Sequence, residues 1–202
     1  ENDFSRNTYG NSVGVTGILK TGSWIHAGGL THFIYGTGVI EANATLTLPP
    51  GSTIKFMRYA SLQLGDKSQL IARGTLAEPI VFTSIQDDEY GGDTNGDGGV
   101  TVPESEDWYG IDGYGGLSTI EMEHVLLRFA SEAIHARGHV TLRDSMVEGS
   151  STAININPNS GTAPTALIER TLIQSSYYGI YLSKAPATLK ISGNAFIGQT
   201  SY

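Results

Sequence analysis

The amino-acid sequence predicts an all-β fold, a right-handed parallel β-helix (solenoid) in which short strands stack coil upon coil. Three observations predict it. Apolar residues recur in fixed columns, the segments that carry them alternate apolar and polar residues, and Gly, Asn, Ser or Pro separates many of these segments. Alternation with a period of two indicates strands, because successive side chains of a strand point to opposite faces. A helical repeat would need longer segments with a period of about 3.6, and the sequence contains none.

The columns are clearest in the second half of the chain, where successive copies of the repeat are 20, 26 and 23 residues apart. The aligned positions are all apolar: Met122, Leu142, Ile168 and Ile191; Leu126, Met146, Leu172 and Ala195; Leu127, Val147, Ile173 and Phe196; Ile134, Ile154 and Ile180; Ala136, Ile156 and Leu182. A single coil cannot bury its own apolar side, so stacking must supply both the core and the backbone hydrogen bonds.

The first half repeats less regularly but contains the same kind of short strand. Such segments stand at 46–48, 54–56, 62–64 and 80–82. At roughly 20 to 26 residues per coil we expect about eight or nine coils. We therefore expect a single β-helix domain over residues 13–202, preceded by an N-terminal arm or cap at 1–12. Residues 86–107 have no apolar periodicity and are predicted to form a loop that protrudes from the stack.

Composition and charge exclude several classes of protein. With 12 basic and 20 acidic residues the formal net charge is −8. This charge opposes binding to nucleic acid, because that affinity comes mainly from Lys and Arg neutralising phosphates. No apolar run approaches the roughly 20 residues that a membrane-spanning helix needs. The chain contains no Cys, which excludes disulfides and thiolate ligands to a metal.

Several segments resemble the repeats of bacterial and archaeal surface-exposed right-handed β-helix proteins. The resemblance is carried by residues 44–56, 74–76, 79–84 and 86–111, and by the opening 15–19 with Trp24 downstream. It covers the chain from about residue 13 to its end, and it implies a β-helix with an acidic loop on a protein of the cell surface. It implies little about activity, because the same scaffold serves adhesins and polysaccharide-active enzymes.

The protruding loop contains a pattern that is typical of calcium-binding loops. Residues 93–104 match Asp-x-Asn-x-Asp-Gly, five further residues and Glu at every specified position. Ca²⁺ prefers six to eight oxygen ligands at about 2.3–2.6 Å. The predicted ligands are Asp93, Asn95, Asp97, the backbone carbonyl of Gly99, Thr101 through a water molecule, and Glu104 at the closing position.

The context of this loop indicates a fixed ion rather than a calcium sensor. β-Repeats flank it instead of helices, and Pro103 opposes the start of an exiting helix. Asp87 and Asp107 bring further negative charge and are additional candidate ligands, of this ion or of a second one. The alternative is a solvated acidic turn without an ion, since Asp, Asn and Gly are ordinary turn residues.

The outward-facing charges do not predict a catalytic site. Glu123, Arg143 and Glu169 align in one column with alternating sign, as expected of a solvated sheet face. A β-helix lyase or glycosidase would need a compact group of acid and base on one face. His135 and His139 are close in sequence, but no third metal ligand lies near them, which disfavours a zinc site.

These observations favour an extracellular, calcium-stabilised structural, adhesive or self-assembling module, secreted or held at the cell surface, over an enzyme. The alternative is a carbohydrate-active enzyme (a polysaccharide lyase or glycosidase) or a polysaccharide-binding domain, in which tyrosines would stack on sugar rings. The candidates are Tyr109, Tyr114, Tyr177, Tyr178 and Tyr181, although tyrosines on strand faces are more often ordinary β formers. The apolar columns run on to Phe196 without a polar cap. We therefore expect the C-terminal coil to pair head to tail with another copy, or with further domains of a larger surface protein, unless that end is simply frayed.

Overall fold

The computed structural model describes residues 11–24, 29–159 and 161–198, and within these ranges it contains twenty β-strands and no α-helix. The strands are Ser12–Leu19 (β1), Gly22–Ser23 (β2), Thr31–Ile40 (β3), Thr45–Leu48 (β4), Thr53–Phe56 (β5), Ser61–Leu64 (β6), Gln69–Arg73 (β7), Ile80–Ser84 (β8), Trp108–Gly113 (β9), Thr119–Glu123 (β10), Val125–Arg128 (β11), Ala130–Ala136 (β12), His139–Arg143 (β13), Met146–Glu148 (β14), Thr152–Ile156 (β15), Thr165–Glu169 (β16), Leu172–Gln174 (β17), Tyr178–Leu182 (β18), Thr188–Ser192 (β19) and Ala195–Ile197 (β20). None of the described residues belongs to a helix that could span a membrane.

The strands form a parallel β-solenoid, which confirms the predicted fold class. Each full coil contributes one strand to each of three faces, and every pairing among the described strands is parallel. The first face is the sheet β19-β16-β13-β10-β7-β4-β2. The second face (β5, β8, β11, β14, β17, β20) and the third face (β6, β9, β12, β15, β18) are joined by the long strand β3, whose two halves pair with β5 and β6.

The predicted apolar columns are ladder neighbours in the structure. Met122, Leu142, Ile168 and Ile191 pair in register across the first face, and the other predicted columns pair in register on the other two faces. Ile134 and Ile154 are buried in the core between the faces. The spacing of the sequence repeat therefore gives the register in which successive coils pair.

The number of coils is lower than predicted, about seven instead of eight or nine. Eight or nine coils would need every residue of the chain to belong to a coil. Residues 85–107 contain no strand, although the structure describes all of them, so they add length without adding a coil. The predicted N-terminal arm or cap at 1–12 lies outside the described residues except for Asn11 and Ser12, and Ser12 begins β1.

Two corners of each coil in the second half depend on single residues with positive φ. Between the first and second faces these residues are His124, Asp144, Arg170 and Gly193, with φ between 48° and 65°. A left-handed residue turns the chain sharply between two strands, and it is costly for residues other than Gly, Asn or Asp. The tight stacking of coils above and below maintains the conformation at His124 and Arg170.

Glu169 on β16 joins two neighbouring coils of the first face. Its carboxylate accepts a hydrogen bond from Arg143 Nε at 3.0 Å and contacts the ammonium group of Lys190. The hydrogen bond from Lys190, followed by that from Arg143, lowers the pKa of Glu169 from 4.5 to about 2. A carboxyl group whose pKa is lower in the folded state stabilises the fold at pH values above its unfolded pKa. That contribution is lost as the pH falls through the folded pKa.

We therefore expect the free energy of unfolding of Glu169→Gln to fall less steeply than that of the wild type as the pH drops from 4.5 to about 2. Urea unfolding at a series of pH values measures this, with Glu78→Gln at an exposed carboxylate as the matched control. Equal pH dependence of the wild type and Glu169→Gln would contradict the assignment.

Candidate metal centre

The acidic loop, residues 85–107, lies over the outer side of the second face. Thr31 Oγ1 is 3.5 Å from the carbonyl oxygen of Gly91, and the ammonium group of Lys55 donates a hydrogen bond to the carbonyl oxygen of Gly92. Lys55 is completely buried, and burial lowers its pKa, although the carboxylates of Asp88, Asp87 and Asp93 oppose that effect. These two contacts fix the loop to the body of the solenoid, and the ammonium group of Lys55 lies beneath it.

Three carboxylates of this loop meet at one point. Single oxygens of Asp88, Asp93 and Asp97 all lie within 4.8 Å of one another. Two oxygens bound to the same Ca²⁺ ion can be at most about 5 Å apart, since each lies at about 2.3–2.6 Å from it. The three side chains therefore have a spacing that one ion of this size can bridge.

Backbone amides of the tight loop orient Asp93 and Asp97. Asp93 Oδ1 accepts hydrogen bonds from the amides of Gly96 (2.7 Å) and Asp97 (3.1 Å), and its Oδ2 accepts one from Gly98 (2.8 Å). Asp97 accepts hydrogen bonds from the amides of Gly99 (2.8 Å) and Thr101 (3.0 Å). Gly98 and Gly99 have φ of 71° and 77°, which permits this tight winding of the chain.

The carboxylates of this group have different electrostatic environments, which shift the pKa values of Asp97 and Asp88 in opposite directions. The hydrogen bond from the Thr101 hydroxyl, followed by amide hydrogen bonds, lowers the pKa of Asp97. Burial raises the pKa of Asp88, and the negative charge of Asp93 raises it further, while Lys55 acts in the opposite direction. Asp88 is therefore the member whose charge is most costly without a nearby cation.

The other predicted ligands of residues 93–104 lie in the same loop but play different parts. Asn95 Nδ2 donates to Asp97 Oδ2 and to Thr101 Oγ1, each at 2.9 Å, so both side chains brace Asp97. The amide of Gly99 also binds Asp97. Glu104 is exposed and is not among the described carboxylates that converge; its amide donates to Asp107 Oδ2 at 3.1 Å.

Asp87 and Asp107, the two additional candidates, are buried and hold the ends of the loop. Asp87 Oδ2 accepts hydrogen bonds from Thr83 Oγ1 at 2.6 Å and Arg128 at 2.9 Å. Asp107 Oδ1 accepts one from Gln86 Nε2 at 3.2 Å. Neither belongs to the three converging carboxylates among the described residues.

Asp88 is the member of this group that the sequence pattern missed. It lies five residues before the calcium-loop pattern begins, so no pattern of fixed spacing includes it. One signal was available, the run of acidic residues Asp87, Asp88 and Glu89 at the start of the loop, which brings negative charge close to the pattern.

Comparisons with known proteins add no relative to these observations. The chain matches no protein-family model, no curated protein and no solved structure.

Proposed function

We propose that this protein is an extracellular, calcium-stabilised β-solenoid module with a structural, adhesive or self-assembling role on a prokaryotic surface. The observation that carries the proposal is the convergence of Asp88, Asp93 and Asp97 within a loop whose residues 93–104 match a calcium-binding pattern. Asp88, Asp93 and Asp97 supply the carboxylate ligands, and Gly99, Thr101 and Glu104 are the candidates for the remaining oxygen positions.

The cation stabilises the loop by removing repulsion. Three carboxylates within 4.8 Å of one another repel strongly wherever solvent does not screen them, and Lys55 offsets only one of the three charges. A divalent ion at their centre replaces this repulsion with attraction. Both ends of the loop are already held by Asp87 and Asp107, so the ion reinforces one conformation and does not switch between two.

A location outside the cell fits this kind of site. Calcium sites of extracellular modules have dissociation constants of about 10⁻⁴–10⁻³ M, which suits the high calcium concentration there. The resemblance of residues 44–56 and 86–111 to surface β-helix proteins supports the same location.

Isothermal titration calorimetry tests the metal site. We expect one Ca²⁺ per chain, and weaker binding of Mg²⁺, which demands near-octahedral geometry and gives up its water reluctantly. Titration after exhaustive dialysis against EDTA removes any ion carried through purification. A flat calcium titration of the dialysed protein would contradict the proposal.

The last coil that the structure describes supports the self-assembling role. Ile191 and Phe196 are in register with the buried Ile168 and Ile173 of the preceding coil, yet they are exposed by 42% and 47%. Each of the end strands β19 and β20 pairs with one neighbour among the described strands. A second copy stacked head to tail would cover both the apolar surface and the open edges, and repetition of that contact gives filaments.

We expect the protein to form head-to-tail chains at high concentration in calcium, and the double variant Ile191→Glu, Phe196→Glu to remain monomeric. Light scattering and negative-stain microscopy measure this. The matched control is Leu76→Glu, Leu117→Glu, which changes two exposed apolar residues between the first and the last coils. A strictly monomeric wild-type protein would rule out assembly through this edge.

A further inference from the structure

The third face of the solenoid carries a groove on the outer side of β6, β9 and β12. It encloses about 410 Å³ and is lined by Gln63, Tyr109, Asp112, Glu132 and His135, among others. Cavities of about 300–1,000 Å³ with a few convergent polar groups are typical of small-molecule sites. The groove lies on a different face from the loop that carries Asp88, Asp93 and Asp97.

A β-bulge shapes this groove. The register between β9 and β12 shifts between Glu132 and Ile134, so Ala133 is an extra residue. Gly110, opposite the bulge, has φ of 124°, and a Cβ atom there would lie 1.7 Å from the carbonyl oxygen of Glu132. Only glycine fits this position. Bulges re-aim side chains and are frequent beside functional sites; this one occurs where Glu132 lines the groove.

A compact group of polar side chains occupies the centre of the groove. His135 Nδ1 lies 3.2 Å from Glu132 Oε2 and 3.7 Å from Asp112 Oδ1. Asn155 Nδ2 donates to Glu132 Oε1 at 3.0 Å. Asp112 Oδ1 is buried and accepts no hydrogen bond from any residue that the structure describes. The group therefore holds acceptor capacity that the protein itself does not fill.

These groups follow the solenoid axis. Gln63, Asp112, His135 and Asn155 pair in register on successive strands, so donors and acceptors recur at intervals of about 4.8 Å. The next residue of this column is Tyr181, on β18. The column therefore offers a row of polar contacts that suits an extended ligand better than a compact one.

Exposed tyrosines lie beside the row at two levels of the stack. In the coils of Gln63 and Asp112 the rings of Tyr59 and Tyr109 have centroids 5.8 Å apart, and in the coil of β18 those of Tyr178 and Tyr181 are 5.7 Å apart. All four side chains are exposed. Aromatic rings that are open to solvent offer flat apolar surfaces beside hydroxyl groups, which suits ligands that have both apolar and polar faces.

We propose that this groove binds a neutral oligosaccharide, laid along the solenoid axis from Tyr109 to Tyr181. Sugar hydroxyls both donate and accept, so they can satisfy the carboxylates of Asp112 and Glu132 as well as the amide of Gln63. The C–H faces of the sugar rings stack on the tyrosines. Arg137 lies 3.9 Å from Asp112 Oδ2 and offsets one of the two carboxylates, and the remaining negative charge repels acidic sugars. This site goes beyond the calcium proposal and does not depend on an ion in the loop.

Calorimetry with three hexasaccharides, of glucose, of glucosamine and of galacturonate, tests the assignment. We expect the glucose hexamer to bind, and Tyr109→Ala, Asp112→Asn and Glu132→Gln each to weaken binding about tenfold or more. Tyr90→Ala, in the acidic loop over the second face, should bind as the wild type does. Tyr181→Ala should weaken binding of the hexamer while leaving the glucose dimer unaffected, because the dimer does not reach the far end.

Each alternative result would overturn the assignment. Binding of the glucosamine hexamer alone would indicate a cation site, and binding of the galacturonate hexamer alone would place the ligand elsewhere. Binding of none of the three, or binding that Tyr109→Ala leaves unchanged, would equally exclude this groove. The wild type is measured in calcium and in EDTA, and the double variant Asp93→Ala, Asp97→Ala is measured beside it. Sugar binding that survives in that variant separates the groove from the metal site, so either proposal can fail alone.

Discussion

Trp108→Ala is expected to lower the free energy of unfolding by about 3–5 kcal/mol, the range for truncating a large buried aromatic residue. Trp108 is fully buried at the point where the acidic loop returns to the solenoid. Its ring stacks on Phe56 with centroids 3.9 Å apart, and its Nε1 donates to the carbonyl oxygen of Arg128 at 2.8 Å. Truncation leaves a cavity between two coils and removes the hydrogen bond to Arg128.

Trp24→Ala is the matched control, because Trp24 is the second of the two tryptophans and is only partly buried in the first coil. Urea unfolding, followed by circular dichroism, compares the two variants. We expect the loss at Trp24 to be clearly smaller. Equal losses of unfolding free energy in the two variants, or a loss below about 1 kcal/mol in Trp108→Ala, would show that the stack of Trp108 on Phe56 does not anchor the loop.

The double variant Asp93→Ala, Asp97→Ala is expected to abolish calcium binding. Each substitution removes a carboxylate of the converging group as well as the acceptor that holds several loop amides. Asp88→Asn preserves the shape of the side chain and removes its charge. We expect it to weaken calcium binding by at least about tenfold, a cost near 1.4 kcal/mol.

Calorimetric titration tests whether the ion is bound by the side chains that converge in the structure or by those that the sequence pattern assigns. The pattern assigns a closing ligand to Glu104, whereas the structure brings Asp88 to the other two carboxylates. Glu104→Gln should therefore affect affinity less than Asp88→Asn, and Glu41→Gln, at an exposed carboxylate outside the loop, should have no effect. A larger effect of Glu104→Gln would mean that the loop rearranges around the ion.

The solenoid could be predicted from the sequence because each core column needs apolar residues at one structural position. Met122, Leu142 and Ile168 occupy equivalent places in successive coils, so their spacing records the stacking directly. The acidic loop could be predicted because its residues lack this regular spacing of apolar positions. A sequence pattern is sufficient to predict the fold where the same type of residue occupies the same position in each coil.

Features that depend on contacts between coils were not predictable in the same way. Phe129 and Arg170 adopt positive φ although neither residue favours it, because the coils on either side impose the corner. The bulge at Ala133 shifts one strand against its neighbour, so Asp112 and His135 become neighbours without any regular spacing in sequence. That shift hid the compact polar group in the groove, which an alignment of equal columns does not reveal.

The most direct test of calcium stabilisation is the free energy of unfolding of the wild-type protein in EDTA and at a free calcium concentration 100 times the dissociation constant. An ion that binds the folded loop and not the unfolded chain adds about 2.7 kcal/mol under these conditions, and the melting temperature rises accordingly. We expect this gain for the wild type and its absence in the variant Asp93→Ala, Asp97→Ala. Identical unfolding in EDTA and calcium, together with no bound ion by elemental analysis, would contradict it.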